Sequence, residues 1–258
     1  MNEIFLKQEK NIEIVIAHYK ENIEWLNDNK NEKNISITIY DKGNNKIENS
    51  NSIPLKNVGR ESHTYLYHIV NNYDNLANKT IFFQGGKPTF GYNNRNEGGH
   101  LYSNYYFRDY IESKNSLELI VTSAITNDMN YLLIRSGYNK YLNIKKPIQM
   151  LPTMSNNDYW LPKKSFKHFK NYIEHLKQKQ NGNLSLNDFW EKYVSNIHPL
   201  PYYLYYNQGA QFSVSKEIIL KNSKEYYIEL LKELENDINP YQGYYMEWLW
   251  PYILNRNL

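Results

Sequence analysis

Short apolar runs that end in polar tips recur through the first third of the chain. Residues 12–17 and 35–40 alternate in the manner of strands, and residues 80–83 form another strand pattern. Residues 61–76 place apolar side chains at helical spacing, namely Tyr65, Leu66, Ile69, Val70 and Tyr73. Strand and helix patterns that alternate in this way predict an α/β fold with a mainly parallel sheet flanked by helices.

The apolar runs at residues 117–125 and 131–134 predict further strands of the same sheet. A polar, glycine-containing stretch at residues 85–99 separates them from the first strands. This stretch is longer than an ordinary connection, which is typical of either an active-site loop or a disordered one.

Helical patterns dominate the last third of the chain. Residues 163–178 have an apolar face and a lysine-rich face that we expect to be solvated. Ser215 and Ser223 each precede a helical pattern and are suited to cap it. Residues 244–254 are aromatic on nearly every side, which predicts a largely buried helix.

Composition narrows the class of protein. A chain of 258 residues with 41% apolar residues can bury one large core, so we expect a single domain. The 30 Lys and Arg residues against 27 Asp and Glu give a charge of +3 that is scattered along the chain, which argues against nucleic acid as a partner. The absence of cysteine excludes disulfides, thiolate metal sites and a cysteine nucleophile. Without a signal-like start or a membrane-length apolar run, we expect a cytoplasmic protein with no membrane span.

The polar tips of the predicted strands are the candidate binding residues, because ligands of open α/β sheets bind beyond the carboxyl ends of the strands. In the segment 57–61, a glycine lets the backbone approach a ligand and an arginine is able to grip a diphosphate. The donor-binding candidates from the tips and this segment are His18, Tyr19, Asp41, Asn57, Gly59, Arg60, Glu61, Gln84, Gly85 and Lys87.

The order of these tips resembles the GT-A type of glycosyltransferase, whose first strands end in a Tyr-Asn-Glu-like and an Asp-x-Gly-like turn. The matching residues are Tyr19-Lys20-Glu21 and Asp41-Lys42-Gly43. The resemblance implies a Rossmann-like GT-A fold, with His18, Tyr19 and Asp41 at the base and ribose of a nucleotide. The segment Asn57-Val58-Gly59-Arg60-Glu61 is similar to the Asn-x-Gly-Arg-Asp segment of rhamnan-synthesis-type transferases.

A closer likeness is to an uncharacterised family whose pattern runs NVGRE-x-x-TYL, then QG, then GAQF and a terminal E-x-L-W. This chain has these motifs at residues 57–66, at Gln84-Gly85, at residues 209–212 and at residues 247–250. The likeness spans residues 12–254, nearly the whole chain.

The chain departs from the better-known transferases at Gln84-Gly85-Gly86, where they usually carry the Asp-x-Asp pair that holds Mg²⁺ or Mn²⁺. These cations prefer carboxylate oxygens. We therefore expect catalysis without a metal or with weak use of Mn²⁺ or Mg²⁺, and the leaving diphosphate neutralised by Arg60, Lys87, Arg95 or a helix amino terminus. The alternative is a plain turn after a buried strand.

Gly209, Ala210 and Gln211 resemble the GT-A segment that lies beside the donor sugar and the acceptor, where small residues leave room for a ring and Gln211 bonds a hydroxyl. Tight strand–helix packing is the alternative. Glu247 stands among aromatic residues, which predicts a raised pKa suited to a general base or acid. In inverting GT-A enzymes a carboxylate from the carboxyl-terminal half deprotonates the acceptor hydroxyl, so the resemblance implies the role of base for Glu247. The alternative is a solvent-facing or ion-paired glutamate.

The resulting hypothesis is a single GT-A-like glycosyltransferase domain over residues 1–258. Its nucleotide-binding half would cover about residues 10–100 and its acceptor half about residues 101–258. It would move a sugar from a nucleotide-sugar donor to a glycan or another hydroxyl acceptor. A non-catalytic sugar- or nucleotide-binding module on the same fold is the main alternative, because fold does not guarantee activity. A sugar-nucleotide hydrolase is a weaker one.

Overall fold

Two β-sheets and the helices packed on them organise the chain. The computed structural model describes residues 11–29, 34–43, 52–88, 107–119, 123–129, 131–134, 160–162 and 169–255. Its strands are β1 Ile12–His18, β2 Ile35–Asp41, β3 Ser52–Pro54, β4 Lys79–Gln84, β5 Leu117–Glu118, β6 Ser123–Thr126, β7 Tyr131–Ile134, β8 Trp160–Pro162, β9 Tyr203–Tyr206 and β10 Phe212–Ser215. Its α-helices are α1 Arg60–Asn72, α2 Phe107–Glu112, α3 Phe169–Lys179, α4 Leu186–Tyr193, α5 Lys216–Ile219, α6 Lys224–Lys232 and α7 Tyr241–Leu254, with 3-10 turns at Glu24–Asn29 and Tyr73–Asn75.

The first sheet has the strand order β3-β2-β1-β4-β10-β5. Strands β3, β2, β1 and β4 are parallel, and β10 runs antiparallel to β4 and β5. In the centre, Ile14 lies opposite Ile37 on one side and Ile81 on the other. Central strands covered on both faces read as continuous apolar runs, and Ile14 and Ile81 are fully buried. The predicted mainly parallel α/β sheet with flanking helices is thus confirmed.

The second sheet has the order β8-β7-β6-β9, with every pairing antiparallel. Here the prediction for residues 117–125 and 131–134 is wrong in part. Strand β5 joins the first sheet, but β6 and β7 belong to the second. An apolar run does not indicate which strands it will pair with, and β6 pairs with β7 and with β9, which is distant in sequence.

The helices follow their apolar patterns. Helix α1 packs on β1, β4 and α6, and its residues Tyr65, Leu66 and Ile69 are fully buried. Ser215 and Ser223 cap α5 and α6 by accepting hydrogen bonds from backbone amides in the first turn, as predicted. Helix α7 is buried along almost its whole length, which confirms that prediction as well.

Several predictions fall on parts of the chain that lie outside the described residues. These are the amino terminus at residues 1–10, residues 89–99 of the predicted loop with Arg95, residues 120–122 of the predicted strand run, and residues 163–168 of the predicted lysine-rich helix. Within the described ranges, none of the helices combines the length and the apolar character that crossing a bilayer requires.

Candidate functional site

The candidate site lies at the carboxyl edge of the parallel strands. His18 ends β1 directly opposite Asp41, which ends β2, while Ala17 pairs with Gln84 at the end of β4. The chain proceeds from β1 to β2 and β3 on one side, and then crosses through α1 to β4 on the other side. Such a switch in strand order opens a crevice where α/β sheets bind ligands.

The first two strand ends are bonded to each other. The distance between His18 Nδ1 and Asp41 Oδ1 is 3.1 Å, and His18 Nε2 lies 3.0 Å from the Glu21 carbonyl oxygen. Asp41 Oδ1 also accepts from the Gly43 amide at 2.9 Å. His18 and Asp41 are buried, whereas 43% of Tyr19 is exposed. Tyr19 is therefore accessible at the surface of this turn, as are Lys20 and Glu21.

The β4 tip packs closely against the first turn. The Gly85 amide donates to the Ala17 carbonyl, and the Gly85 carbonyl accepts from Trp25 Nε1, each at 2.9 Å. A Cβ at position 85 would lie 2.8 Å from Glu21 Oε2, the end of a flexible side chain, and 3.1 Å from His18 Cδ2, so the glycine lets the two turns pack closely. Gln84 is half-buried and Lys87 is exposed. Gly85 thus fits the alternative of a tight turn, which leaves Gln84 and Lys87 as the ligand-binding candidates of this tip.

The segment before α1 has an unusual backbone. Gly59 and Arg60 both lie in the left-handed region, with φ of 63° and 53°. A Cβ at position 59 would come within 2.6 Å of His63 Cβ and 2.7 Å of Leu234, so this glycine serves backbone packing. The ammonium group of the buried Lys42 donates to the Val58 carbonyl at 2.6 Å and to the Arg60 carbonyl. Lys42 therefore fixes the turn that aims Arg60.

Arg60 lies between two carboxylates and an aromatic ring. Its Nη1 is 3.4 Å from Glu247 Oε2, its Nε is 3.7 Å from Glu61 Oε2, and its guanidinium carbon lies 4.2 Å from the centre of the Tyr244 ring. Burial lowers the pKa of Arg60, but the charges of Glu61 and Glu247 outweigh it, so the pKa lies above its ordinary value. Arg60 is therefore a permanent cation.

Glu247 is held by one hydrogen bond and one ion pair on the buried face of α7. Its Oε1 accepts from the Gly209 amide at 2.8 Å, and its Oε2 faces Arg60. Burial raises the pKa of Glu247, and the nearby Glu61 adds to this, against the lowering effect of Arg60 and the Gly209 amide. The predicted direction of the pKa shift is confirmed. The glutamate is also ion-paired, as the alternative supposed.

The segment 209–211 forms a left-handed turn that aims an amide at Glu247. Gly209 has φ of 83° and Ala210 of 52°, and the Gln211 amide donates to Asn207 Oδ1 at 3.1 Å. The Gln211 side chain is fully buried, and neither atom of its amide group has a hydrogen-bond partner in the described part of the protein. A buried amide of this kind is costly unless a ligand or water satisfies it.

These residues form two groups that meet at Lys42. One group contains the β1, β2 and β4 ends, and the other joins Arg60 and Glu61 to the turn at Gly209 and to Glu247. The Lys42 amide donates to the His18 carbonyl at 2.9 Å, while its ammonium holds the backbone of Arg60. Burial lowers the pKa of Lys42 to about 8, although Glu61 acts against this. Asn57 is half-buried beside the second group.

Sequence reasoning missed Lys42, Tyr65 and Gly243. The Tyr65 hydroxyl is buried near the charges of Glu61 and Glu247, which together with burial raise its pKa well above the ordinary value. A Cβ at Gly243 would lie 3.3 Å from Arg60 Cδ, so the glycine on α7 makes room for the arginine side chain. The sequence did offer a signal for Lys42, which stands in the Asp41-Lys42-Gly43 tip. The roles of Tyr65 and Gly243 depend on long-range packing, which the sequence pattern does not show.

A divalent cation does not fit the tip of β4. Gln84, Gly85 and Gly86 offer no carboxylate, and the neighbouring Glu21 Oε2 already accepts the amides of Tyr19 and Lys20 at 2.7 and 3.1 Å. Among the residues that the structure describes, no three His, Cys, Asp or Glu side chains gather as a cation site.

Comparison with known families gives one match that covers most of the chain. Residues 14–108 and 135–258 match the model of the family described as a protein of unknown function (DUF3431). Comparisons with curated proteins and with solved structures find no match.

Proposed function

This chain belongs to the DUF3431 family, and we propose that it is a glycosyltransferase that moves a sugar from a nucleotide-sugar donor to a hydroxyl group of a glycan or another acceptor. One observation carries the proposal. Glu247 is a buried carboxylate with a raised pKa, fixed by the Gly209 amide and Arg60 beside the strand ends where an α/β sheet binds ligands.

The chemistry needs a base for the acceptor hydroxyl. As the acceptor oxygen bonds to the anomeric carbon of the donor sugar, the bond to the diphosphate breaks and the hydroxyl proton passes to Glu247. A carboxylate with a raised pKa accepts that proton more readily than an ordinary glutamate, whose pKa is about 4.3. Gln211, with its unsatisfied amide, would bond a hydroxyl of the sugar.

Arg60 links the proton transfer to the departing diphosphate. In the resting protein its charge is shared by Glu61 and Glu247. When Glu247 takes up a proton, it loses its negative charge, and the attraction of Arg60 for the diphosphate increases correspondingly. The exposed Lys87 would contribute a second cation. These two cations would take the place of a metal ion at the diphosphate, because Gln84, Gly85 and Gly86 at the β4 tip offer no carboxylate to hold one.

The donor nucleoside would lie over the first two strand ends. Tyr19 presents an exposed ring that is suited to stack on a base, while His18 and Asp41 hold the two turns in register beneath it. Gln84, at the neighbouring strand end, and Asn57, beside the second group, would bond the ribose or the sugar.

A non-catalytic binding module is the second candidate. It is favoured by the contacts of Glu247, because a carboxylate with one oxygen hydrogen-bonded to an amide and the other ion-paired also suits a purely structural role. The two candidates differ in turnover, because a module would bind a nucleotide sugar without releasing its nucleoside diphosphate.

The donor site is tested by thermal unfolding with UDP, GDP, ADP, dTDP and their common sugar conjugates, with and without Mn²⁺. A ligand at 100 times its Kd stabilises the folded protein by about 2.7 kcal/mol. We expect one base to stabilise the protein without Mn²⁺, and Tyr19→Ala to abolish the effect. Tyr202→Ala, at a tyrosine that is 58% exposed, is the matched control. Absence of stabilisation by every nucleotide would refute the donor site.

A further inference from the structure

Two tyrosines form a surface pair beside Arg60. Tyr172 lies on α3 and Tyr244 on α7, with ring centres 5.9 Å apart and ring planes at 88°. Their hydroxyl oxygens are 3.3 Å apart, and 41% of Tyr172 is exposed. Tyr172 thus presents an aromatic ring to solvent beside the half-buried Tyr244.

Polar contacts hold these rings in place. The Asn239 side-chain amide donates to the Tyr172 hydroxyl at 3.1 Å, and the Arg60 guanidinium covers the Tyr244 ring at 4.2 Å. A tyrosine has few rotatable bonds, so a ring fixed in this way loses little entropy when a ligand packs on it. The surface therefore offers a rigid apolar face bordered by hydroxyl, amide and guanidinium groups.

The surface leads to the candidate base. Tyr244 and Glu247 are three residues apart on α7 and so share one face of the helix. Arg60 contacts both, with its guanidinium on the Tyr244 ring and its Nη1 at 3.4 Å from Glu247 Oε2. A molecule packed on the tyrosines therefore lies beside Arg60, and Arg60 in turn contacts the buried carboxylate of Glu247.

The chemistry of this surface selects a neutral saccharide. The C–H face of a sugar ring packs on an aromatic ring, while its hydroxyls bond the surrounding polar groups. Glu61 and Glu247 carry two negative charges against the one positive charge of Arg60, so the surface does not select for an anion. Asn239 and the tyrosine hydroxyls supply neutral donors and acceptors.

We propose that Tyr172, Tyr244, Asn239 and Arg60 bind a neutral saccharide chain as the acceptor. Its role as acceptor rests on the proposed transferase function, whereas saccharide binding does not. The reacting hydroxyl would lie at Glu247, and the sugar units beyond it would extend past Tyr244 to pack on the exposed ring of Tyr172.

The test measures binding without any nucleotide. Hexasaccharides of α- and β-linked glucose, mannose, xylose and N-acetylglucosamine are titrated into the full chain and followed by saturation-transfer NMR. We expect at least one to bind, and Tyr172→Ala to weaken it about tenfold while Tyr172→Phe, which keeps the ring, changes it little. The exposed Tyr202→Ala is expected to bind like the unaltered protein.

The proposal is overturned if none of the hexasaccharides binds, or if Tyr172→Ala binds them as well as the unaltered protein. The outcome of the nucleotide panel, which tests the donor site, does not depend on the outcome of this saccharide titration. If saccharide binding depends on Tyr172 but no nucleotide stabilises the protein, the saccharide-binding surface is supported and the proposed transferase function is refuted. If a nucleotide stabilises the protein but no saccharide binds, the donor site is supported and the saccharide-binding surface is refuted.

Discussion

Arg60 and Glu247 form an ion pair, with 3.4 Å between Nη1 and Oε2, although Arg60 begins α1 and Glu247 lies on α7 near the end of the described chain. The pair joins the parallel strands to the carboxyl-terminal helix. Glu61 adds a second carboxylate at 3.7 Å, so one cation offsets two anions. Charge balance at the centre of the site therefore depends on Arg60.

We expect Arg60→Met to destabilise the protein by about 3–5 kcal/mol at neutral pH, because it leaves buried carboxylates without their cation. Removing Arg60 raises the pKa of Glu247 further. A carboxylate whose folded pKa exceeds its unfolded pKa stabilises the fold at low pH and loses this contribution as pH rises. The difference in the free energy of unfolding between the unaltered protein and Arg60→Met should therefore grow from pH 5 to pH 8, as measured by urea unfolding.

The control for this variant is Lys192→Met. Lys192 forms an exposed pair with Glu233 at 2.9 Å, and the loss of such a pair is worth about 1 kcal/mol or less. Equal deficits for Arg60→Met at pH 5 and pH 8 would contradict the role of Arg60 in charge balance.

Glu247→Gln should lower the rate of sugar transfer about 10²- to 10⁴-fold, the usual contribution of a general base. The glutamine oxygen still accepts the Gly209 amide, so nucleotide binding should persist. Release of nucleoside diphosphate in the presence of acceptor measures the rate. Glu13→Gln alters another buried glutamate near the start of β1 and should keep full activity. Unchanged transfer in Glu247→Gln would rule out Glu247 as the base.

Gly59→Ala should destabilise the protein by about 2–5 kcal/mol, because the left-handed backbone and the crowding of the new Cβ both oppose it. Gly43 lies outside the left-handed region, and Gly43→Ala should change stability by less than about 1 kcal/mol. Chemical denaturation of both variants gives the comparison. Similar losses would show that the backbone at Gly59 is not the constraint.

His63 should make the fold sensitive to acid. Burial, with Lys42 and Lys56 nearby, lowers its pKa to about 3 from the ordinary 6.5. The unfolded chain therefore binds more protons than the folded one between pH 6.5 and 3, and stability falls as pH falls through this window. The loss by pH 4.5 is on the order of 2 kcal/mol.

His63→Phe should reduce this loss, since His63 Nδ1 has no hydrogen-bond partner in the described part of the protein. His198→Gln, at an exposed histidine, should retain the slope of the unaltered protein. Parallel pH profiles for the unaltered protein and His63→Phe would exclude His63 as the source.

The local patterns of the sequence predicted the parallel strands, the capped helices and the buried α7 because each depends on nearby residues. The raised pKa of Glu247 followed from its aromatic neighbours in the same way. The place of β10 and the division of the chain into two sheets depend on pairing between distant segments, which periodicity does not encode. The role of Lys42 depends on a backbone turn at Gly59 and Arg60 that no residue preference specifies, since arginine rarely adopts a positive φ.

The antiparallel strand β10 also has a consequence for how the protein is made. It covers the edge of β4, yet it is translated long after β4 has left the ribosome. At about 5–20 residues per second, the nascent chain exposes that open edge for on the order of ten seconds. An uncovered strand edge invites pairing with other chains, so we expect chaperones to bind the growing polypeptide during this interval. Release from them should coincide with the emergence of Phe212–Ser215 from the exit tunnel.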